Sequence, residues 1–181
     1  MSLTSIPLRP ATLADVSELR LLIAASARGL SRGDYSDPQI EAALRSAFGV
    51  DTQLIRDGTY FVAEADGAIV ACGGWSFRRT LYGSDDLPGR QTEALDPAHE
   101  AARIRAFFVH PAWARRGLGR AILERCEHEA RTHGFTAAAL LATLPGLPLY
   151  RALGYAAEAP REYPLADGST ITFVPMGKSL Q

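Results

Sequence analysis

The feature that most constrains this chain is a glycine turn between a predicted strand and a predicted helix. Residues 102–109 are predicted to form a strand that ends at His110-Pro111, and residues 115–120 read Arg-Arg-Gly-Leu-Gly-Arg. Apolar residues then recur at helical spacing, at Leu118, Ile122, Cys126 and Ala130. A helix that begins at such a turn offers free backbone N–H groups and the positive end of its dipole, which together form an anion site.

The composition of this turn favours phosphate as the anion. Glycine has no Cβ, so Gly117 and Gly119 allow a phosphate to approach the backbone closely. Three arginines, which can bind phosphate through paired hydrogen bonds, add positive charge there: Arg115, Arg116 and Arg120. The spacing matches neither the Gly-x-x-x-x-Gly-Lys-Ser/Thr motif nor the full Gly-x-Gly-x-x-Gly motif. The turn therefore predicts a phosphorylated ligand, and the alternative is an ordinary strand–helix connection with solvated arginines.

This region resembles the coenzyme A-binding motif of the GNAT superfamily of N-acetyltransferases. Residues 109–123 carry the pattern Val-His-Pro-x-Trp-x-x-Arg-Gly-Leu-Gly-Arg-x-Ile-Leu. Residues 9–15 are similar to the family's first strand and helix, and residues 149–155 are similar to its late helix. The three matches follow the family's order and cover nearly the whole chain.

The resemblance implies acetyl-CoA as co-substrate and no metal. The backbone amides that would bind its pyrophosphate belong to Arg115, Arg116, Gly117, Leu118, Gly119 and Arg120. The main chain of Phe107, Phe108 and Val109 would pair with the pantetheine arm, on a strand that carries a bulge and splays from its neighbour. Ala114 departs from the family, which usually has Gln or Arg there, so we expect less side-chain help but an intact backbone cradle.

The resemblance also assigns the catalytic chemistry. Tyr150 matches the family's proton donor; a tyrosine, with a pKa of about 10, can protonate a departing thiolate whose conjugate acid has a pKa of about 8.5. The alternative is a core tyrosine with a satisfied hydroxyl. Many members use a glutamate on the central strand as the base, but this strand carries arginines. Glu100, just before the strand, is our candidate base, and water is the alternative.

Four further residues are candidates for the acceptor site. Arg103 and Arg105 lie on alternate positions of one strand and face one side. They would favour an acceptor with a carboxylate, unless they are surface arginines paired with Asp or Glu. Trp75 is expected to belong to the core or to line the substrate slot. Tyr35 lies in the loop between the first two helices, which the family often uses to select substrate; the alternative is a plain connector.

The remaining patterns predict one α+β domain over residues 1–181, a mixed, mostly antiparallel sheet flanked by helices. The element order is β-α-α-β-β-β-α-β-α-β-β. The resemblance to the GNAT fold implies that the central strands splay apart. The second helix is expected over residues 36–49. The last hairpin is expected over residues 156–165 and 169–176. A polar loop at residues 79–100 is long enough to suggest a binding role.

Composition excludes several classes of protein. The net charge of −1 gives no basic excess for nucleic acid or a membrane surface. The two cysteines are too few for a disulfide scaffold or a metal cluster. No apolar run is long enough to span a bilayer, and the N-terminus has no secretory pattern, so we expect a cytoplasmic, soluble protein. Exposed strand ends would allow a homodimer.

These observations predict an enzyme that moves an acetyl group from acetyl-CoA to a primary amine by direct attack in a ternary complex. The acceptor is expected to be a small molecule, because the loop at residues 79–100 would enclose it. A protein acceptor would need an open groove. The alternative from another class is a non-catalytic acyl-CoA-binding or regulatory domain with the same fold.

Overall fold

The computed structural model describes residues 6–181. The prediction that the chain has no secretory signal rests mainly on residues 1–5, which lie outside the described part. A 3₁₀ turn, Leu13–Asp15, leads into helix α1, Val16–Leu30. The Asp15 carboxylate accepts a hydrogen bond from the Thr12 N–H at 2.7 Å, an arrangement that caps the start of a helix. Helix α2, Asp37–Ala43, begins with the reciprocal Ser36–Gln39 capping box, and helix α3 is Thr52–Arg56.

Eight strands of the described chain form one sheet. They are β1 (Leu8–Pro10), β2 (Tyr60–Ala65), β3 (Ala68–Ser76), β4 (Ala102–Val109), β5 (Ala137–Thr143), β6 (Ala156–Ala157), β7 (Arg161–Pro164) and β8 (Thr170–Ser179). The order is β1-β2-β3-β4-β5-β8-β6, and β7 also pairs with β8. Helix α4, Leu118–Thr132, connects β4 to β5, and helix α5 is Leu147–Ala152. Among these strands only β4 and β5 are parallel, which confirms the predicted fold class.

The centre of the sheet is split. Between β4 and β5 the described pairing is limited to Ala102 with Ala138 and Arg103 with Ala139. Ala106 has a φ of 56°, and the register of β4 against β3 shifts between Cys72 and Gly74. An extra residue of this kind bends a strand and increases its twist. The bulge and the splay that the family resemblance implied are therefore both present.

The core lies on both faces of the sheet. Helix α4 covers one face, where Ile122, Leu123 and Cys126 are fully buried. Helices α1 and α2 cover the other face with Leu19, Ile40 and their neighbours. The split between β4 and β5 therefore opens between two separate apolar layers.

Three details of the predicted order are wrong. Helix α2 ends at Ala43 rather than near residue 49, because the chain turns there and the Phe48 N–H donates to the Ala43 carbonyl at 2.7 Å. Helix α3 was not predicted, although Asp51 caps it by accepting from the Gln53 N–H. The strand predicted over residues 156–165 is divided into β6 and β7, and Pro160 between them has no N–H for the sheet.

Candidate active site

The glycine turn lies at the N-terminus of α4, as predicted. Gly117 is the capping residue and has a φ of 85°, a conformation that glycine adopts without strain. The first N–H groups of a helix have no partner within it. A Cβ on Gly119 would lie 2.9 Å from a methyl group of Leu149, so this glycine lets α5 approach the turn. The turn thus presents free N–H groups beside the split.

A cavity of about 680 Å³ begins at this turn and runs along β4 into the split. On the α4 face it is lined by residues that include Phe107, Leu118, Leu149 and Tyr150. On the α1/α2 face it is lined by residues that include Phe48, Tyr82, Phe108, Leu141 and Phe173. The cavity therefore passes through the sheet and joins its two faces.

Tyr150 lies in this cavity, on helix α5. Its ring packs edge-on against Phe107, with the centroids 6.2 Å apart, and the residue is 8% exposed. Burial raises the pKa of the Tyr150 hydroxyl above its usual value of about 10. A tyrosine hydroxyl is protonated at neutral pH even at its usual pKa, so Tyr150 brings a proton to the cavity that it lines.

The three arginines of the turn have different surroundings. Arg115, with a φ of 64°, and Arg120 both line the cavity. The Arg116 guanidinium instead lies over the Trp113 ring, 4.6 Å from the centroid, and Arg116 is not among the described lining residues. Arg115 and Arg120 are therefore the side chains placed to face a ligand at the turn.

The main chain of the predicted pantetheine strand borders the cavity at Phe107, Phe108 and Val109. Phe108 pairs with Cys72 of β3, and the Val109 N–H donates to the Ser26 hydroxyl at 3.2 Å. The Val109 N–H thus already has a partner from α1. A ligand that pairs with this strand would have to use other main-chain groups or replace Ser26.

Glu100, the candidate base, is not among the described residues that line the cavity. Its carboxylate accepts from the Asp96 N–H at 2.8 Å and forms an ion pair with Arg79. The backbone hydrogen bond from Asp96, followed by the Arg79 hydrogen bond, lowers the pKa of Glu100 below its usual value. Both its position and its low basicity disfavour it as a base.

The surroundings of Arg103 and Arg105 do not match those expected of a pair that binds a substrate carboxylate. Arg105 is 4% exposed; it forms an ion pair with Asp51 at 2.9 Å and donates to the Thr80 and Gly83 carbonyls. Arg105 lines the cavity, but its guanidinium N–H groups donate to protein oxygens. Arg103 is half-buried and is not among the described lining residues. Arg105 is thus paired with an aspartate, as the alternative interpretation expected, but the pair is buried and does not lie on the surface.

Trp75 and Tyr35 also lie outside the described cavity lining. Trp75 is fully buried, packs against Phe135 with centroids 6.0 Å apart, and donates its indole N–H to Glu129, so it belongs to the core. The Tyr35 hydroxyl donates to the Thr172 carbonyl at 2.7 Å and accepts from the Leu144 N–H at 2.9 Å. Tyr35 therefore joins the α1–α2 loop to β8 and to the end of β5.

The sequence analysis did not identify the cavity wall on the α1/α2 face. Phe48 packs edge-on against Phe108, and Tyr82 packs edge-on against Phe173, with centroids 5.9 Å and 5.8 Å apart. These residues come from four distant segments, and no local pattern links them. The one available signal was the length of the loop at residues 79–100, which supplies Tyr82.

Two kinds of feature are absent from the described residues: a helix that could cross a membrane and a cluster of possible metal ligands. No helix among residues 6–181 is long and apolar enough to cross a membrane. No group of three or more His, Cys, Asp or Glu side chains in that range is arranged to hold a metal ion.

The split sheet and the glycine turn at the N-terminus of α4 agree with the fold that the family resemblance implied. The model of the acetyltransferase (GNAT) family matches residues 24–155, and the chain belongs to this family. A comparison with curated proteins finds no match.

Solved structures share the fold over their full length. A GCN5-related N-acetyltransferase (aminotransferase, class II) from Rhodopseudomonas palustris aligns with a TM-score of 0.73 and 19% identity, covering 99% of this chain and 98% of that one. The PaiA N-acetyltransferase of Thermoplasma acidophilum, in complex with coenzyme A, gives 0.64 and 16%, covering 97% and 99%. The putative acetyltransferase YncA of Salmonella typhimurium, with acetyl-CoA, gives 0.62 and 18%, covering 98% and 95%.

Proposed function

We propose that this protein transfers an acetyl group from acetyl-CoA to the primary amine of a small molecule. The observation that carries the proposal is the single cavity that joins the helix N-terminus at Gly117 to Tyr150 and continues through the sheet. An acyl donor bound at one end and an amine at the other would meet in the split. The solved structures from T. acidophilum and S. typhimurium, which contain coenzyme A and acetyl-CoA, share the fold and support the choice of donor.

The turn has the groups that a pyrophosphate needs. The N–H groups at the start of α4 and the helix dipole favour negative charge, and Arg115 and Arg120 border the same end of the cavity. The remainder of the cavity along β4 is mostly apolar, which suits a pantetheine arm. Phe107 and Leu149 lie along this part.

Tyr150 would act as the acid in a direct transfer. The amine nitrogen attacks the thioester carbonyl carbon, the C–S bond breaks, and the departing sulfur takes the proton of the Tyr150 hydroxyl. The Tyr150 hydroxyl carries its proton at neutral pH. Burial also raises its pKa and so makes it a weaker acid, and the proton therefore moves only as negative charge develops on the sulfur. The nitrogen loses a proton to water, and the same solvent returns a proton to Tyr150.

The loop that carries Tyr82 supports a small acceptor rather than a protein. Leu81, Tyr82 and Gly83 all line the cavity, and the buried Arg105 binds the carbonyls of Thr80 and Gly83. This loop therefore forms part of the wall at the acceptor end, which suits a small acceptor. A cytoplasmic location remains a prediction.

The test combines donor binding and turnover. Isothermal titration should show acetyl-CoA binding, and a coenzyme A release assay over a panel of amines should show turnover. Binding without turnover of any amine would favour the non-catalytic acyl-CoA-binding alternative. Absence of binding would contradict both readings.

A further inference from the structure

The acceptor end of the cavity has an aromatic lining. Phe48, Phe108, Phe173 and Tyr82 border it, and their rings contact one another edge-on or tilted at centroid distances of 5.8 to 6.1 Å. Tyr163 packs behind Tyr82 and Phe173, at 5.2 Å and 5.4 Å. Aromatic rings favour a flat apolar partner that packs against them edge-on or offset. The wall is therefore suited to a ring rather than to a polar chain.

Among the described residues that line this cavity, none carries a side chain that can remove a proton at neutral pH. The titratable side chains among its described lining residues are Arg105, Arg115, Arg120, Tyr82 and Tyr150. Arginines remain protonated, and burial raises the pKa of both tyrosine hydroxyls above the usual value. Asp51, which pairs with the lining residue Arg105, is 1% exposed and also binds Arg90.

These two facts restrict the acceptor. An alkyl amine with a pKa of about 10.4 is almost entirely an ammonium ion at neutral pH, and it must lose a proton before it can attack. An ammonium ion in this cavity would meet no carboxylate among the described lining residues, and burial of an unpaired charge is costly. An aryl amine is uncharged at neutral pH and needs no base before attack.

We infer that the acceptor is a small aromatic amine whose nitrogen is uncharged at neutral pH. The inference rests on the proposed function and adds the acceptor class. The ring would contact the aromatic wall, and the nitrogen would point along β4 towards Tyr150. After the C–N bond forms and the C–S bond breaks, water takes the proton from nitrogen and Tyr150 gives its proton to sulfur.

A matched pair of isomers tests this inference. 4-Methylaniline and benzylamine have the same atoms, but only benzylamine is an ammonium ion at neutral pH. We expect kcat/KM for 4-methylaniline to exceed that for benzylamine by about tenfold to a hundredfold at neutral pH. It should stay constant between about pH 6 and 9, while that of benzylamine rises about tenfold per pH unit. 1,4-Diaminobutane and glycine should be poorer still.

Two variants of the loop at residues 79–100 distinguish an effect of charge at the cavity wall from an effect of added charge elsewhere on the loop. Tyr82→Glu introduces a carboxylate at the aromatic wall, and it should reduce the preference for 4-methylaniline over benzylamine at least about tenfold. Thr92→Glu makes the same charge change at an exposed position outside the described cavity lining and should leave the preference unchanged. The KM for acetyl-CoA should be similar in both variants.

The outcomes distinguish this inference from the proposed function. If acetyl-CoA binds and benzylamine, diaminobutane or glycine equals or exceeds 4-methylaniline, the acceptor class is wrong and the proposed function stands. If acetyl-CoA does not bind, the proposed function fails. If acetyl-CoA binds without turnover, the coenzyme A-loaded protein should still bind 4-methylacetanilide at least about tenfold more tightly than N-acetyl-diaminobutane. Equal binding of these two amides would overturn the inference.

Discussion

The two ends of the cavity are built differently. The proposed donor end comes mainly from one continuous segment, residues 107–120, in which a strand, a turn and a helix N-terminus follow one another, and Leu149 of α5 lies beside it. Its binding groups are mainly main-chain N–H groups. The acceptor end comes from segments around Phe48, Tyr82, Phe108, Leu141 and Phe173. Its binding groups are side chains.

Their supports differ in the same way. The donor end is fixed by local backbone geometry at Gly117 and by close packing at Gly119. The acceptor end depends on a buried ion network in which Asp51 binds Arg105 and Arg90 and so attaches the long loop to β4. The comparison indicates that the donor site tolerates changes elsewhere in the sequence, whereas the acceptor site depends on contacts between distant residues.

The largest effect is expected at the support of the acceptor end. Asp51→Ala would leave two arginines without their buried partner, and we expect the free energy of unfolding to fall by about 3–5 kcal/mol. Asp85→Ala is the matched control, because Asp85 binds the same Arg90 at an exposed position and such pairs contribute about 0–1 kcal/mol. Urea denaturation measures both, and equal losses would contradict the bracing role of Asp51.

The next largest effect is expected from a substitution that disrupts acetyl-CoA binding at the donor end alone. Gly117→Asp places a carboxylate where the pyrophosphate is expected, and acetyl-CoA affinity should fall by at least about a hundredfold, or about 2.8 kcal/mol. No described atom lies within 4 Å of the added Cβ, so the fold should persist. Gly117→Asn is the control, since asparagine also tolerates positive φ and adds no charge. Calorimetry that finds both variants equally affected would assign the loss to backbone strain instead.

Between the two ends, Tyr150→Phe should remove the proton donor. We expect kcat to fall about a hundredfold, equivalent to about 2.7 kcal/mol, while the Kd for acetyl-CoA changes little. Tyr155→Phe is the control, because its hydroxyl donates to Glu127 inside the protein and Tyr155 is not among the described cavity residues. Loss of acetyl-CoA binding in Tyr150→Phe would contradict the assigned role.

A smaller effect is expected at the bulge of β4. The buried Tyr60 hydroxyl donates to the Ala106 carbonyl at 3.0 Å, and Ala106 is the residue with positive φ. Tyr60→Phe should lower the free energy of unfolding by about 1 kcal/mol. It should also lower kcat severalfold, because the bulge sets the direction of the strand beside the split. Unchanged kinetics would show that the bulge does not need this hydrogen bond.

An effect of similar size separates two neighbouring arginines. Arg115→Gln should weaken acetyl-CoA binding about fivefold to tenfold, or about 1–1.4 kcal/mol. Arg116→Gln should change it less than about threefold, because Arg116 lies over Trp113 and away from the described cavity. Equal losses in calorimetry would show that both arginines reach the ligand.

The sequence predicted the donor end well because its signals are local. Strand β4 has the predicted bounds, and α4 begins at Leu118 directly after Gly117. Predictions were weaker where the deciding contacts are distant. The isolated patterns of Arg105 and Trp75 suggested substrate contacts, but the fold directs Arg105 to Asp51 and buries Trp75 in the core. Glu100 was chosen for its position along the chain, and Arg79 holds it outside the described cavity.

The sequence by itself therefore determined the fold class, the glycine turn at the N-terminus of α4 and the place of Tyr150 on a short helix, because each depends on backbone conformation and residue spacing over a short stretch. The tertiary structure alone decided which side chains share the cavity. It brought Phe48, Tyr82 and Phe173 together, paired Asp51 with Arg105, and left the lining that it describes without a carboxylate. The physical reason is that packing and ion pairing between residues far apart in the chain leave no periodic trace in the sequence.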